Sequence, residues 1–317
     1  MSQKRKEENM KRISKVRIAA MITAVGLAFS LIPALNISAA ATADEDYAYA
    51  VSQEIEAGTR SIPAGASRTG VNVNGRRVLE GRVFVLDGIT YVPMFKFADW
   101  LGVFTYSSTT SGSVRSSRIN GENLQIQATE NKLYIIANGR YFYTVGKVME
   151  IDGEIYVPIT PLVKALNCHV NWSNDQNRYV VRSGDTRRLK NAEQIYADDA
   201  VYWLSRIIYA EAGGESMQGK IAVGNVVLNR TRSSQFPNTI YGVIFDKKYG
   251  VQFAPTANGM IYKTPNADSV IAAKICLEGY SVSNQALYFF NPKYTSGAWV
   301  KNNRDYLFTI GNHVFYN

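Results

Sequence analysis

The spacing of apolar positions changes three times along this 317-residue chain. An uncharged run from Ile18 to Leu35 comes first. From about Gly70 to Gly184, apolar residues alternate with polar ones or form short runs around Asp-Gly and Asn-Gly pairs, as strands joined by tight hairpins do. From Ala192 the period lengthens to that of helices. The tail returns to short strands, with "ALYFF" at 286–290 and a closing hairpin in "YLFTI-GN-HVFYN". The pattern predicts an α+β protein: a β-rich N-terminal domain with short helices, then a mainly helical domain with a small β part.

The β-rich region is duplicated. "LDGITYVPMFKFADWLG" at 86–102 and "IDGEIYVPITPLVKALN" at 151–167 coincide at an offset of 65. Each copy predicts a strand, an Asp-Gly turn and a second strand. A proline then ends the ladder where a short helix begins. Gly102 and Asn167 are the predicted helix stops, and the Asn-Gly pairs at 120–121 and 138–139 predict two further hairpins. A unit repeated only twice indicates a duplicated domain, not a solenoid.

The helical region opens with "DDAVYWLSRIIYAEA", residues 198–212. Val201, Leu204, Ile207 and Ile208 share one face, and Glu211 falls on that same face. Gly213 and Gly214 end the helix, so Glu211 sits in its last turn, near the negative end of the dipole. Apolar neighbours and the dipole both disfavour a carboxylate there and raise its pKa, which suits a general acid. The alternative on spacing alone is a buried glutamate paired with Arg206 or Arg230. Glu215 precedes a helix, "SMQGKIAVGNVVLNR", that is apolar on nearly every side. At that N-terminus the dipole favours an ionised carboxylate, with Gln218 positioned for a capping arrangement. Glu215 is therefore either the ionised half of an acid/base pair or a helix cap. Segments 242–259 and 286–300 are rich in rings and amides, the side chains that wall a glycan cleft.

Charge alters this picture only at the N-terminus. The net charge is +9, of which residues 1–43 hold +5; the remainder is mildly basic and shows no stripe for nucleic acid. Basic residues ahead of the Ile18–Leu35 run, with small residues at Ala41 and Ala43, predict a signal peptide cleaved before Asp44. The mature protein is then expected outside the cytoplasm, meeting a membrane only where that segment stays uncut. The predicted organisation is a signal peptide at 1–43, a flexible lead-in at 44–69, the duplicated domain at 70–185, a polar linker at 186–194 and the helical domain at 195–317. Cys168 and Cys276 fall in different domains and are read as buried free thiols. The two histidines, His169 and His313, are far apart, no H-E-x-x-H occurs, and G-x-S-x-G is absent. No metal and no cofactor is expected.

The hairpin-Tyr-Val-Pro-helix-Leu unit and the following "VNWS" resemble the copper amine oxidase N-terminal-like domain. That resemblance implies a wall-binding or spacer module; a region with one histidine lacks the imidazoles of a copper site. "RIIYAEAGGESMQGKIAVGNVVLNR", with "FPNTIYGVIF", "VQF" and "ALYFFNP", resembles the cell wall hydrolase family of the spore cortex-lytic enzymes. It implies a lysozyme-like lytic transglycosylase that acts on peptidoglycan, in the vegetative wall or the spore cortex during germination. It also implies that Glu211 is catalytic, with Glu215, Gln252, Phe253, Tyr288, Asn291 and Trp299 as candidate substrate-binding residues. A muramidase that uses water and a non-catalytic wall-binding protein are the alternatives.

Overall fold

A computed structural model describes residues 61–102, 104–185 and 189–317. The predicted signal peptide and most of the lead-in lie outside the described residues.

The two copies of the repeat share one seven-stranded sheet. Its strands are β1 (Ser67–Val73), β2 (Arg76–Leu86), β3 (Ile89–Pro93), β9 (Met149–Ile151), β10 (Glu154–Pro158), β11 (His169–Ser173) and β12 (Arg178–Arg182), in the order β11-β12-β1-β2-β3-β10-β9. The copies meet where β3 pairs antiparallel with β10, Val92 opposite Val157. Both Asp-Gly turns form as predicted. Asp87 and Gly88 have φ of 51° and 75°, and Asp152 and Gly153 have 51° and 82°, the doubly left-handed geometry of a two-residue hairpin. Pro93 and Pro158 end their strands and cap helices α1 (Met94–Asp99) and α2 (Ile159–Ala165). Asn167 terminates the second helix in the left-handed region, φ 52°. The first helix stops earlier than Gly102, at Asp99.

A meander of five strands fills the interval between the copies: β4 (Thr105–Ser111), β5 (Val114–Asn120), β6 (Gln125–Thr129), β7 (Tyr134–Ala137) and β8 (Arg140–Tyr143). Asn138-Gly139 makes the predicted tight turn between β7 and β8. Asn120 instead ends β5, and residues 121–124 form a longer connection. One core joins both sheets, with Val71, Val83, Val92, Ile126, Ile135 and Leu162 fully buried.

The described end of the predicted lead-in and the predicted polar linker are both anchored to the β domain. β1 begins at Ser67, inside the expected lead-in, and Ile62 and Ala66 pack on the Phe84–Tyr91–Tyr156 cluster. The expected linker buries Leu189 in the β core, and Asn138 Nδ2 donates to the Leu189 carbonyl at 3.0 Å. Asn191 and Gln194 then form a capping box at the start of α3 (Ala192–Ile195). In both places one or two apolar residues anchor the segment to a core built from other parts of the chain.

The helical region is organised around α5 (Met217–Arg232), in which every residue from Gly219 to Arg230 is buried. It lies against α4 (Asp198–Ala212), α6 (Ile240–Ile244) and α8 (Ala267–Leu277). Gly224 permits the close approach: a Cβ there would come within 2.8 Å of Cys276 Sγ and 2.9 Å of Ile208 Cδ1. Buried amides on this helix are satisfied by the following loop. Asn225 Nδ2 donates to the Tyr280 carbonyl at 3.0 Å, and Asn229 Nδ2 to the Ser283 and Ala286 carbonyls at 2.8 and 2.9 Å. Short helices α7 (Ala254–Ala257) and α9 (Ala298–Asn303) complete this part with a three-stranded sheet. In it β15 (His313–Tyr316) lies between β13 (Tyr288–Phe290) and β14 (Tyr306–Ile310), as the closing hairpin predicts. Cys168 and Cys276 are both free thiols; Cys276 is fully enclosed and Cys168 half-buried. Among the described residues no helix is long and apolar enough to cross a membrane.

Candidate active site

Helix α4 has the predicted bounds and the predicted face. Leu204, Ile207 and Ile208 are fully buried, and Glu211 follows them in the last turn, two residues before the C-cap Gly213. Burial alone raises the Glu211 carboxyl from its ordinary 4.5 to about 7. Among the described residues no cation or hydrogen-bond donor stabilises its ionised form. The two arginines that could have paired with it are engaged elsewhere. Arg206 lies 3.6 Å over the Tyr202 ring, and Arg230 Nε donates to the Leu287 carbonyl at 2.7 Å. Position 211 therefore holds a proton near neutral pH because leaving it behind as a desolvated charge is costly.

Glu215 is held in the opposite state by a contact the sequence does not reveal. Its carboxylate accepts from Asn312 Nδ2 at 2.8 Å and from Asn312 N at 3.3 Å, with His313 Nδ1 at 3.9 Å. The Asn312 side chain is the main cause that holds this carboxyl below its ordinary pKa. Glu215 is not the helix cap: Ser216 is, accepting from Gly219 N at 3.2 Å. Glu215 instead ties the α4–α5 junction to the β14–β15 turn, and that tie depends on Gly311, whose φ is 55°. A Cβ at Gly311 would fall against Glu215 Oε2. Gly311→Ala combines left-handed strain with this clash and should destabilise the protein by about 2 kcal/mol. Thermal unfolding of the variant measures this, and an unchanged midpoint would show that the tie is dispensable.

The remaining candidates divide. Trp299 is 58% exposed and packs 5.9 Å from the half-buried Tyr288 ring. Asn291 is half-buried, and its side chain accepts from Lys293 N at 2.9 Å. Gln252 is half-buried and donates to the Gly250 carbonyl at 3.3 Å. Phe253 is a correction: at 3% exposure it belongs to the core, its ring 6.4 Å from Phe289 and under the Arg230 guanidinium. A ring among Gly and Pro looked like a cleft wall, yet the short turns around it fold it inward. Arg230 and Arg304, which both stack on Tyr288, were not among the candidates. Nothing in their spacing distinguishes them from ordinary surface arginines. Among the described residues no group of three or more His, Cys, Asp or Glu could hold a metal ion.

Residues 214–316 match the Cell Wall Hydrolase family, and residues 72–181 match the copper amine oxidase N-terminal domain. The chain carries a cell wall hydrolase domain. The matched interval opens three positions after Glu211, and similarity to individual relatives extends further. Over 125 residues the chain is 35% identical to a spore cortex-lytic enzyme of Bacillus cereus, covering 39% of this chain and 47% of that protein. Over 120 residues it is 35% identical to a spore cortex-lytic enzyme of Bacillus subtilis, covering 38% of each. The chain thus spans less than half the length of these curated relatives. Among solved structures, the catalytic domain of the germination-specific lytic transglycosylase SleB from Bacillus anthracis aligns at 35% identity. That alignment covers 41% of this chain and all of the other, with a TM-score of 0.36. Among the described residues a polar cluster joins the repeat domain to the hydrolase domain. Arg140 of β8 donates to both oxygens of Glu278, just beyond α8, at 2.7 Å each, and Tyr196 donates to the same carboxylate at 2.6 Å.

Proposed function

We propose that this protein is a lytic transglycosylase that cleaves peptidoglycan between N-acetylmuramic acid and N-acetylglucosamine, with Glu211 as the single catalytic acid and base. The observation that carries this reading is a desolvated carboxyl without a counter-ion at the end of α4, protonated up to about pH 7. Protonated Glu211 donates to the glycosidic oxygen as the bond breaks. The substrate's own acetamido group or nearby dipoles stabilise the developing oxocarbenium charge. The resulting carboxylate then removes the proton of the muramyl C6 hydroxyl, which attacks C1 and closes a 1,6-anhydro ring. The proton returns to Glu211, and no water is consumed.

The muramidase alternative in which Glu215 activates water requires that carboxylate to be free. Glu215 is a poor candidate, because both of its oxygens are engaged by Asn312. The relatives' names, spore cortex-lytic enzyme and germination-specific lytic transglycosylase, support the same chemistry and suggest the spore envelope as its place. The repeat domain is proposed as the module that holds the enzyme to the wall. Digestion of purified sacculi followed by mass spectrometry tests the reaction. Muropeptides ending in 1,6-anhydro-muramic acid are expected, lighter by one water than reducing ends; reducing ends alone would overturn the assignment.

A further inference from the structure

Two arginines of the hydrolase domain lie against the Tyr288 ring, and neither forms an ion pair among the described residues. Arg230, on α5, is 5% exposed. Its guanidinium sits 4.8 Å from the Phe236 ring centre, 5.2 Å from Phe253 and 5.3 Å from Tyr288. Its Nε has the Leu287 carbonyl, but its buried Nη1 has no hydrogen-bond partner. Arg304 donates from Nη2 to the Tyr288 hydroxyl at 3.0 Å and lies 4.7 Å over that ring and 5.4 Å from Trp299. Its Nε is likewise buried and unpartnered.

A buried cationic donor without an acceptor costs free energy, and an enclosed guanidinium is ordinarily matched by a carboxylate. Here rings stand in for the counter-ion. Burial lowers the Arg230 pKa to about 10, although Asp246 acts in the opposite sense from beyond ion-pair distance. Electron-rich ring faces stabilise a cation but leave its N–H groups unused. Both of these donors are enclosed; the part of the cluster open to a ligand is the half-buried Arg304 beside the exposed Trp299, a cation and a ring face that suit a sugar with an adjacent anion.

We propose that Arg304, backed by Arg230, binds a free carboxylate on the peptide-bearing arm of the muramyl residue while Trp299 takes the adjoining sugar ring. This assignment rests on peptidoglycan being the substrate. It gives the enzyme a means of recognising the decorated sugar and so of setting the register of the strand. Arg304 and Trp299 are then substrate-binding residues, and Arg230 positions Tyr288 and Arg304.

Equilibrium binding of the full chain to purified sacculi tests the proposal, using native walls and walls whose carboxylates have been converted to amides. Native walls should be bound roughly tenfold more tightly, as loss of one charge-assisted contact implies. Arg304→Gln should bind both preparations with the weaker affinity. Arg304→Lys should recover part of the preference, and Trp299→Ala should weaken both preparations equally. Equal affinity of the unaltered protein for the two walls would overturn the proposal, and so would a preference undiminished in Arg304→Gln. If a variant fails to fold, the comparison of the two walls with the unaltered protein still decides. The assay reads binding alone. A protein that prefers native walls but never cleaves them keeps this site and loses the transglycosylase assignment; one that cleaves but binds both walls equally loses only this site.

Discussion

Glu211→Gln should abolish wall lysis and, at alkaline pH, make the protein more stable. The amide cannot donate a proton to the glycosidic oxygen, and general acid catalysis contributes on the order of 10²–10⁴ in rate. Clearance of a sacculus suspension should slow by that factor while binding to the walls is retained. Lysis at the native rate would mean that position 211 holds glycan without performing chemistry. The stability effect follows from the same buried proton. A carboxyl whose folded pKa is raised to about 7 from 4.5 makes the folded state the stronger proton binder between those values. Its contribution is fully present below about pH 4.5 and is lost as the pH rises through 7. At pH 8 the native chain bears a desolvated charge that costs up to about 3 kcal/mol. Glutamine bears none. The variant should therefore unfold at higher denaturant than the native protein at pH 8, and the difference should vanish near pH 4. Native lysis should fall about tenfold per pH unit above 7, as the acid form is depleted.

What the sequence revealed about this site was local. Glu211 was legible because a helix repeats its face every few residues and Leu204, Ile207 and Ile208 mark that face. The Asp-Gly hairpins were legible because few residues tolerate two consecutive left-handed conformations. The state of Glu215 was legible only in direction. Its dominant partner, Asn312, lies 97 positions away, across a turn whose placement depends on the final sheet. The anchoring of the linker was not legible for a related reason. "LKNAEQ" is polar in composition, and burial of Leu189 is decided by a β core assembled from other parts of the chain. Phe253 failed because ring-rich sequence does not say which ring faces the solvent. Arg304 went unseen, and Arg230 was weighed only as a partner of Glu211, because packing on Tyr288 is a property of tertiary structure alone.

Removing Glu278 should separate the two domains energetically. This carboxylate is 5% exposed and receives two donors from Arg140 of the repeat domain and the hydroxyl of Tyr196 from the start of the hydrolase domain, so Arg140 reaches it across the domain boundary. Around it, the Tyr143 and Tyr280 rings pack at 4.4 Å with a tilt of 44°, and Lys274 lies 5.3 Å from the Tyr141 ring. Glu278→Ala leaves the Arg140 guanidinium enclosed without a counter-charge, which costs about 3–5 kcal/mol in buried pairs. Glu278→Leu combined with Arg140→Met removes both charges and should cost distinctly less, since a buried pair contributes little beyond an apolar replacement of its own size. Denaturant unfolding followed by tryptophan fluorescence distinguishes the cases, because Trp100 and Trp172 report on the repeat domain and Trp203 and Trp299 on the hydrolase domain. In Glu278→Ala one pair should lose its signal before the other; in the double variant the two should remain nearly together. An unfolding curve for Glu278→Ala that superimposes on the native one would mean that the two domains are joined by the tyrosine contacts and the linker, with the ion pair contributing nothing.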